Sequence, residues 1–165
     1  PPLPHRIEHF ILPSDKAIKA ARDTGTMVCI QPTFDHFWGG STGLYAQRLG
    51  PKRAAACNPF KTIFDMGISL ACGSDSPVTP INPLLGIHAL VNHTNPDERV
   101  DLNSALSLFI SEPHKFCGES VQRGHLRPGK RADFVCLNED PFMVPPARLK
   151  DIRVNSLYLG GNKVF

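Results

Sequence analysis

Three short apolar runs, separated by helix-length segments, constrain this chain more than any other feature of its sequence. Arg6-Ile7-Glu8-His9-Phe10-Ile11, Met27-Val28-Cys29-Ile30 and Ile68-Ser69-Leu70-Ala71-Cys72 read as strands. The second is apolar throughout and the third nearly so, the pattern of strands buried on both faces of a parallel sheet. Helix signals lie between and after them. Ser14 is placed to N-cap a helix over 15–23, with Ile18 and Ala21 on one face and Gly25 as the stop. Asn58-Pro59 opens a second helix that Gly67 closes, and further helices are predicted over 83–91 and from about 103 to 109 and onward. Strand–helix alternation predicts an α/β fold, either a barrel or an open parallel sheet. A full barrel needs eight units and about 250 residues. Three units in a chain of 165 residues allow a partial barrel only.

Two stretches depart from that rhythm. Residues 32–53 are rich in glycine and aromatic side chains and are predicted to form a long loop, a length more often seen in lids and binding loops than in ordinary connections. After Gly118 the texture changes. Arg127-Pro128-Gly129 and Asp140-Pro141 punctuate two strand signals, Ala132–Leu137 and Val154–Leu159, and the chain closes on the hairpin-like Leu159-Gly160-Gly161-Asn162. The division expected is therefore an α/β part over 1–118 and a small β module over 119–165.

Charge and cysteine usage exclude several classes. The net charge of +3 is small and scattered, which argues against nucleic acid as a partner. Nowhere do about 18 apolar residues run together, so no membrane span is expected. Pro1-Pro2-Leu3-Pro4-His5-Arg6 has no apolar core of a signal peptide and no initiating Met. The five cysteines are widely spaced with no Cys-x-x-Cys pair, and Cys29, Cys72 and Cys136 sit in apolar runs. Buried, reduced thiols and a cytoplasmic location are the expectation. Gly-x-Ser-x-Gly and the common phosphate-binding glycine loops are both absent.

The candidate chemistry lies at the strand ends. His9 ends the first strand, Gln31 the second and Asp75 follows the third. In an α/β barrel such ends converge on one mouth, and imidazole and carboxylate are ligands suited to an ion that activates water. Spacing alone leaves two readings open: a metal site, or a hydrogen-bonded strand-end histidine and an aspartate capping a turn. Gln31, His36 and Trp38 are candidate substrate contacts, the last two because their loop is expected to cover the mouth. His36 is equally readable as a surface histidine beside Asp35, and Trp38 as a pin for the loop. His88 and Asn92, four apart, are placed to share a helix face. The basic stretch Arg123–Arg131 reads as a solvated turn.

The wording around these positions is more specific than their spacing. His5-Arg6-Ile7-Glu8-His9, Val28-Cys29-Ile30-Gln31-Pro32 and Gly73-Ser74-Asp75-Ser76-Pro77-Val78 resemble the amidohydrolase superfamily, most nearly its YtcJ-like branch, which includes N-substituted formamide deformylases. Gly124–Leu137 and Leu159–Phe165 resemble that family's return into a β-sandwich and its closing strand. The resemblance implies a (β/α)8 barrel, of which this chain carries the last three units, followed by a small β-sandwich segment. It implies a metal-dependent hydrolase of carbon–nitrogen bonds other than peptide bonds, acting on a small-molecule amide. By this likeness His9 is the strand-six metal ligand. Asp75 is the strand-eight aspartate, which contacts the metal or its water and acts as catalytic base.

The departures shape the expectation further. No His-x-His pair, bridging carboxylate or modified lysine, or strand-five histidine can be assigned among the seven histidines and the rest of the chain. The chain is therefore expected to be the C-terminal part of a longer enzyme. Its divalent metal, zinc by this likeness, belongs to that parent and is absent or weakly bound here. The isolated piece is expected to be inactive and to self-associate through uncovered strand edges and apolar faces. The alternative is a non-catalytic binding or regulatory module that keeps the fold without the chemistry.

Overall fold

In the computed structural model, which describes residues 5–119 and 121–165, the three apolar runs become short parallel strands. They are β1 (Arg6–Glu8), β2 (Met27–Ile30) and β3 (Leu70–Cys72), ordered β1-β2-β3. Residues 1–4, read above for a leader, lie outside the described residues. The register pairs Glu8 with Cys29 and Cys29 with Ala71. Helix α1 (Asp15–Asp23) follows β1, and the Ser14 hydroxyl accepts the Ala17 amide at its start as expected. Its Ile18 and Ala21 are buried against the sheet.

The sheet is covered on both faces, which parallel strands require. On one face Val28, Ile30 and Leu70 pack with Ile18, Phe60, Ile63, Leu90 and Leu108. Met27 and Ala71 face the other way, where Phe116 closes over them. Burial of a side chain such as Ile63 or Leu90 is worth about 1.5–3 kcal/mol. β1 is the exception: all three of its residues are exposed, and it pairs on one side only.

The segment predicted as a long loop is helical. It holds α2 (Pro32–Trp38), α3 (Leu44–Leu49) and α4 (Pro51–Ala54). The glycines that suggested a loop are helix boundaries: Gly39 is the C-cap of α2, Gly43 precedes α3, and Gly50 ends it at φ 79°. Pro32 and Pro51 occupy first-turn positions, where a missing N–H removes no helix bond.

Beyond these come α5 (Phe60–Asp65), before β3, then α6 (Pro83–Val91), α7 (Leu102–Ile110) and α8 (Glu112–Phe116). α6 matches its expected span, with the Asn82 side chain capping Leu85 and Pro83 at the start.

A second, antiparallel sheet forms from β4 (Phe134–Leu137), β5 (Val154–Leu159) and β6 (Asn162–Lys163). Phe134 and Tyr158 pair across it with rings stacked 4.5 Å apart. Gly160 and Gly161 both have positive φ, which a two-residue hairpin of the favoured hand demands. Cys136 is exposed rather than buried, although Ser156 opposite it on β5 is buried. Cys117 is exposed too, and all five cysteines are free.

Candidate active site

The ends of β1 and β2 are locked together at His9. Its N–H donates to the Cys29 carbonyl at 2.8 Å, and the chain then turns through two left-handed residues, His9 at φ 70° and Phe10 at φ 50°. That turn lays the imidazole over the end of β2, where His9 Nδ1 lies 2.9 Å from Gln31 Oε1. An amide oxygen only accepts, so Nδ1 carries a proton, and in the neutral ring Nε2 then keeps its lone pair. Gln31 is buried, and its amide nitrogen faces the Cys29 sulfur at 3.9 Å, consistent with this orientation of the amide. Phe34, also buried, stacks on the imidazole at 5.9 Å, and Trp38 leans on Phe34 at 4.6 Å.

Asp75 is held differently. It lies in the loop after β3 at φ 54°, its carbonyl accepting the Val78 amide at 2.8 Å. The flanking Ser74 accepts the Ser76 amide on its hydroxyl, and its carbonyl receives the hydroxyl of the fully buried Thr79. Asp75 itself is exposed, and among the described residues no hydrogen bond ends on its carboxylate. With β2 between them, β1 and β3 run about 10 Å apart, and the chain carries Asp75 three residues past the end of β3.

Cys29 sits between them, half-buried. Burial, then the hydrogen bond and charge of Glu8 and the more distant Asp75 carboxylate, push its thiol up to about 12. In the metal-free protein it is therefore a protonated thiol at neutral pH and a poor nucleophile.

The donor set fits part of a metal site. His9 offers an unprotonated Nε2 held in place, and Asp75 offers an uncommitted carboxylate, both ordinary ligands for zinc. A catalytic zinc site uses about three protein groups. Among the described residues, no group of three His, Cys, Asp or Glu side chains could hold an ion. His9 and Asp75 are thus two candidate ligands, fewer than such a site uses.

The remaining candidates separate. Gln31, a candidate substrate contact, directs its amide oxygen to His9. Trp38 is half-buried against Phe34 and Tyr45, as expected of a pin. His36 is exposed and meets His88 of α6 edge-on at 5.5 Å. Both imidazoles are held below their ordinary value, His36 by burial and Lys150, His88 by burial and His36. His88 and Asn92 do share a face of α6 and contact each other at 3.2 Å, and Asn92 also ties α6 to Pro146 of a 3-10 helix at Pro146–Asp151.

Two residues that matter escaped sequence reasoning: Thr33, which shapes the site beside Phe34, and Asp35, which anchors it. Asp35 is buried and accepts the Thr94 amide and hydroxyl at 2.8 and 2.7 Å, tying α2 to the segment after α6. A Cβ at Gly39 would fall 2.2 Å from Asp35 Oδ1, so this helix end requires glycine. The one available signal was Asn92-His93-Thr94, which reads as a chance glycosylation triplet.

Comparison with known proteins bears on what this geometry serves. YtcJ of Bacillus subtilis, named as an amidohydrolase, is 28% identical over 97% of this chain and 32% of its own length. The N-substituted formamide deformylase of Arthrobacter pascens is 23% identical over 94% of the chain and 30% of its own length. The chain thus spans about a third of the curated relatives it matches. A metal-dependent hydrolase from Pyrococcus horikoshii superposes on 87% of the chain and 30% of its own, with a TM-score of 0.74 at 26% identity. The model of the amidohydrolase family matches residues 3–165, nearly every position described above, and on that match the chain belongs to the amidohydrolase family.

Proposed function

We propose that this chain forms one side of the active-site mouth of a metal-dependent hydrolase that cleaves carbon–nitrogen bonds, other than peptide bonds, in small-molecule amides. One observation carries the reading. His9 and Asp75 follow parallel strands β1 and β3, and both are held in the left-handed backbone region. Such positions cost about 1–3 kcal/mol each and persist where the surrounding structure imposes them, commonly at functional sites. Within this reading β1–β3 are the last three strands of a (β/α)8 barrel over 1–118, and 119–165 belong to a neighbouring β-sandwich.

His9 Nε2 and Asp75 are the groups that would hold a divalent ion, and an imidazole–carboxylate pair suits zinc. When bound, such an ion supplies Lewis acidity and a water that ionises near neutral pH. Asp75, with no hydrogen bond competing for its carboxylate, takes the proton of the attacking water and delivers it to the departing nitrogen. Phe34 and Trp38 give the mouth an apolar wall, and His36 contributes at its rim. The remaining ligands come from residues outside these 165, so the isolated chain hydrolyses nothing and holds zinc weakly. The free thiols support a cytoplasmic location. Among the described residues the outer edges of β1 and β3 pair with no strand, which supports self-association of the isolated chain, and a monomer by light scattering at high concentration contradicts that part.

A second reading, a non-catalytic binding module on the same fold, draws on the lack of a three-ligand group among the described residues. One experiment separates them. The natural-length protein is assayed for zinc by elemental analysis and for hydrolysis of N-substituted formamides and related amides, beside His9→Ala. The hydrolase reading expects zinc and turnover in the wild type and loss of both in the variant. A His9→Ala protein that keeps stoichiometric zinc and full turnover overturns it.

A further inference from the structure

We infer that the first turn of α2, through Gln31, Thr33 and Phe34, is the positioning element that aligns His9 and Asp75. None of the three is itself a ligand. The inference rests on the proposed metal role of His9 and deepens it by assigning the residues that make His9 competent for that role.

Gln31 immediately precedes Pro32 at the junction of β2 and α2, is 4% exposed, and directs its amide oxygen to His9 Nδ1 at 2.9 Å. A neutral imidazole carries one proton, and a fixed acceptor at Nδ1 holds it there, leaving Nε2 as the only nitrogen able to bind an ion. Gln31 Nε2 donates to Cys29 Sγ, whose own proton goes to Glu8, so a reversed amide would set its oxygen against a sulfur with no proton to offer it. Phe34 fixes the remaining freedom, the ring plane, by lying 13° from parallel to the imidazole. Tautomer and tilt are thus set by two buried side chains three residues apart.

The same turn reaches the other ligand. Thr33 and Thr79 share a buried hydroxyl contact at 2.8 Å, and Thr79 donates to the carbonyl of Ser74, the residue before Asp75. A hydroxyl has one proton. With that of Thr79 given to Ser74, Thr33 must be the donor in the pair. The order Thr33 to Thr79 to Ser74 carbonyl is therefore directional, and it fixes the backbone from which Asp75 projects. The same turn of α2 is tied to the segment after α6 by the Asp35–Thr94 contacts.

The test uses two readouts on the natural-length protein with 15N-labelled histidine. Metal-free at about pH 8.5, two units above the ordinary imidazole value, His9 should show the Nδ1–H tautomer, assigned by its disappearance in His9→Ala. Gln31→Met should shift it toward Nε2–H, whereas Gln31→Glu, which keeps an acceptor in place, should retain Nδ1–H. Zinc affinity should fall about 10- to 100-fold in Gln31→Met, the usual loss when a ligand's supporting hydrogen bond is removed, and recover to within a few-fold in Gln31→Glu. Thr33→Val should lower affinity while leaving the His9 tautomer unchanged. A wild-type His9 already in the Nε2–H form overturns the inference, as does a Gln31→Met protein with unchanged tautomer and affinity. Equal loss in Gln31→Met and Gln31→Glu also overturns it, because the acceptor then is not what matters. If instead His9→Ala binds zinc as tightly as the wild type, the metal role of His9 fails while the tautomer data still report on Gln31.

Discussion

The two ends of the parallel sheet hold their candidate ligands in opposite ways. At β1 the side chain is fixed: His9 is gripped by Gln31 and stacked on Phe34, with both partners buried. At β3 the backbone is fixed and the side chain is not. Asp75 sits in a turn braced by Val78, Ser74 and Thr79, and its carboxylate stands exposed. The difference fits two chemical tasks. A metal ligand works best with one lone pair aimed at one point, which demands a fixed tautomer. A proton carrier has to meet water on one occasion and a leaving group on the next, and a carboxylate already committed to hydrogen bonds does that poorly.

Removing the free carboxylate gives the largest expected effect. Asp75→Asn in the natural-length protein should lower kcat about 10²- to 10⁴-fold, the range for loss of a general acid–base group, with thermal unfolding unchanged. Near wild-type kcat would remove Asp75 from the chemistry and dissolve the contrast. Cys29, lying between the two ends, offers an independent view. A thiol raised to about 12 has roughly a thousandfold less thiolate at pH 8 than an ordinary one near 8.5. Iodoacetamide should therefore modify exposed Cys117 and Cys136 well before Cys29, read by peptide mass spectrometry; early labelling of Cys29 would show that the site is more open than described.

Smaller effects test the braces. Thr79→Val leaves the Ser74 carbonyl and the Thr33 hydroxyl without their partner, at a cost of about 1–3 kcal/mol for buried groups. The loss should appear as a lower Tm and in Asp75-dependent turnover, while His9 keeps its tautomer. Unchanged stability and activity would show that Asp75 needs no such support. At the rim of the mouth, His36 and its neighbour His88 are held below their ordinary value when folded. The unfolded chain then binds more protons as pH falls through about 6.5. Stability is full above that value and declines below it, down to the lowered folded values. A modest fall in Tm between pH 7.5 and 5.5 is expected, flattened in a His36→Gln/His88→Gln double variant; a slope unaffected by the substitutions would place its origin elsewhere.

What the sequence made legible follows the range of the interactions involved. α1, β2, α6 and β5 follow from rules that act within four residues: the Ser14 and Asn82 caps, Pro83 at a helix start, and runs of apolar residues. The hairpin through Gly160 and Gly161 is equally local. Helices α2–α4 were hidden because glycine and proline mark both loops and helix ends, and only the packing distinguishes the two uses. The positions of His9 and Asp75 at strand ends were readable, but what holds them was not. Gln31 and His9 are 22 residues apart, Thr33 and Thr79 46, and Asp35 and Thr94 59, separations at which no periodicity carries information. Cys136 was misjudged for a related reason: strand patterning shows that a face is apolar, and it does not show whether anything covers it.

The central claim is that His9 and Asp75 serve one metal site and that the ion meets His9 through Nε2. It is tested most directly by an anomalous difference map, recorded at the zinc edge, from crystals of the natural-length protein grown with zinc. The account expects a peak about 2.0–2.1 Å from His9 Nε2, on the side of the ring away from Gln31, with the Asp75 carboxylate turned toward the ion or its water. A fully occupied zinc bound without His9, or bound through Nδ1 with Gln31 displaced, would contradict it.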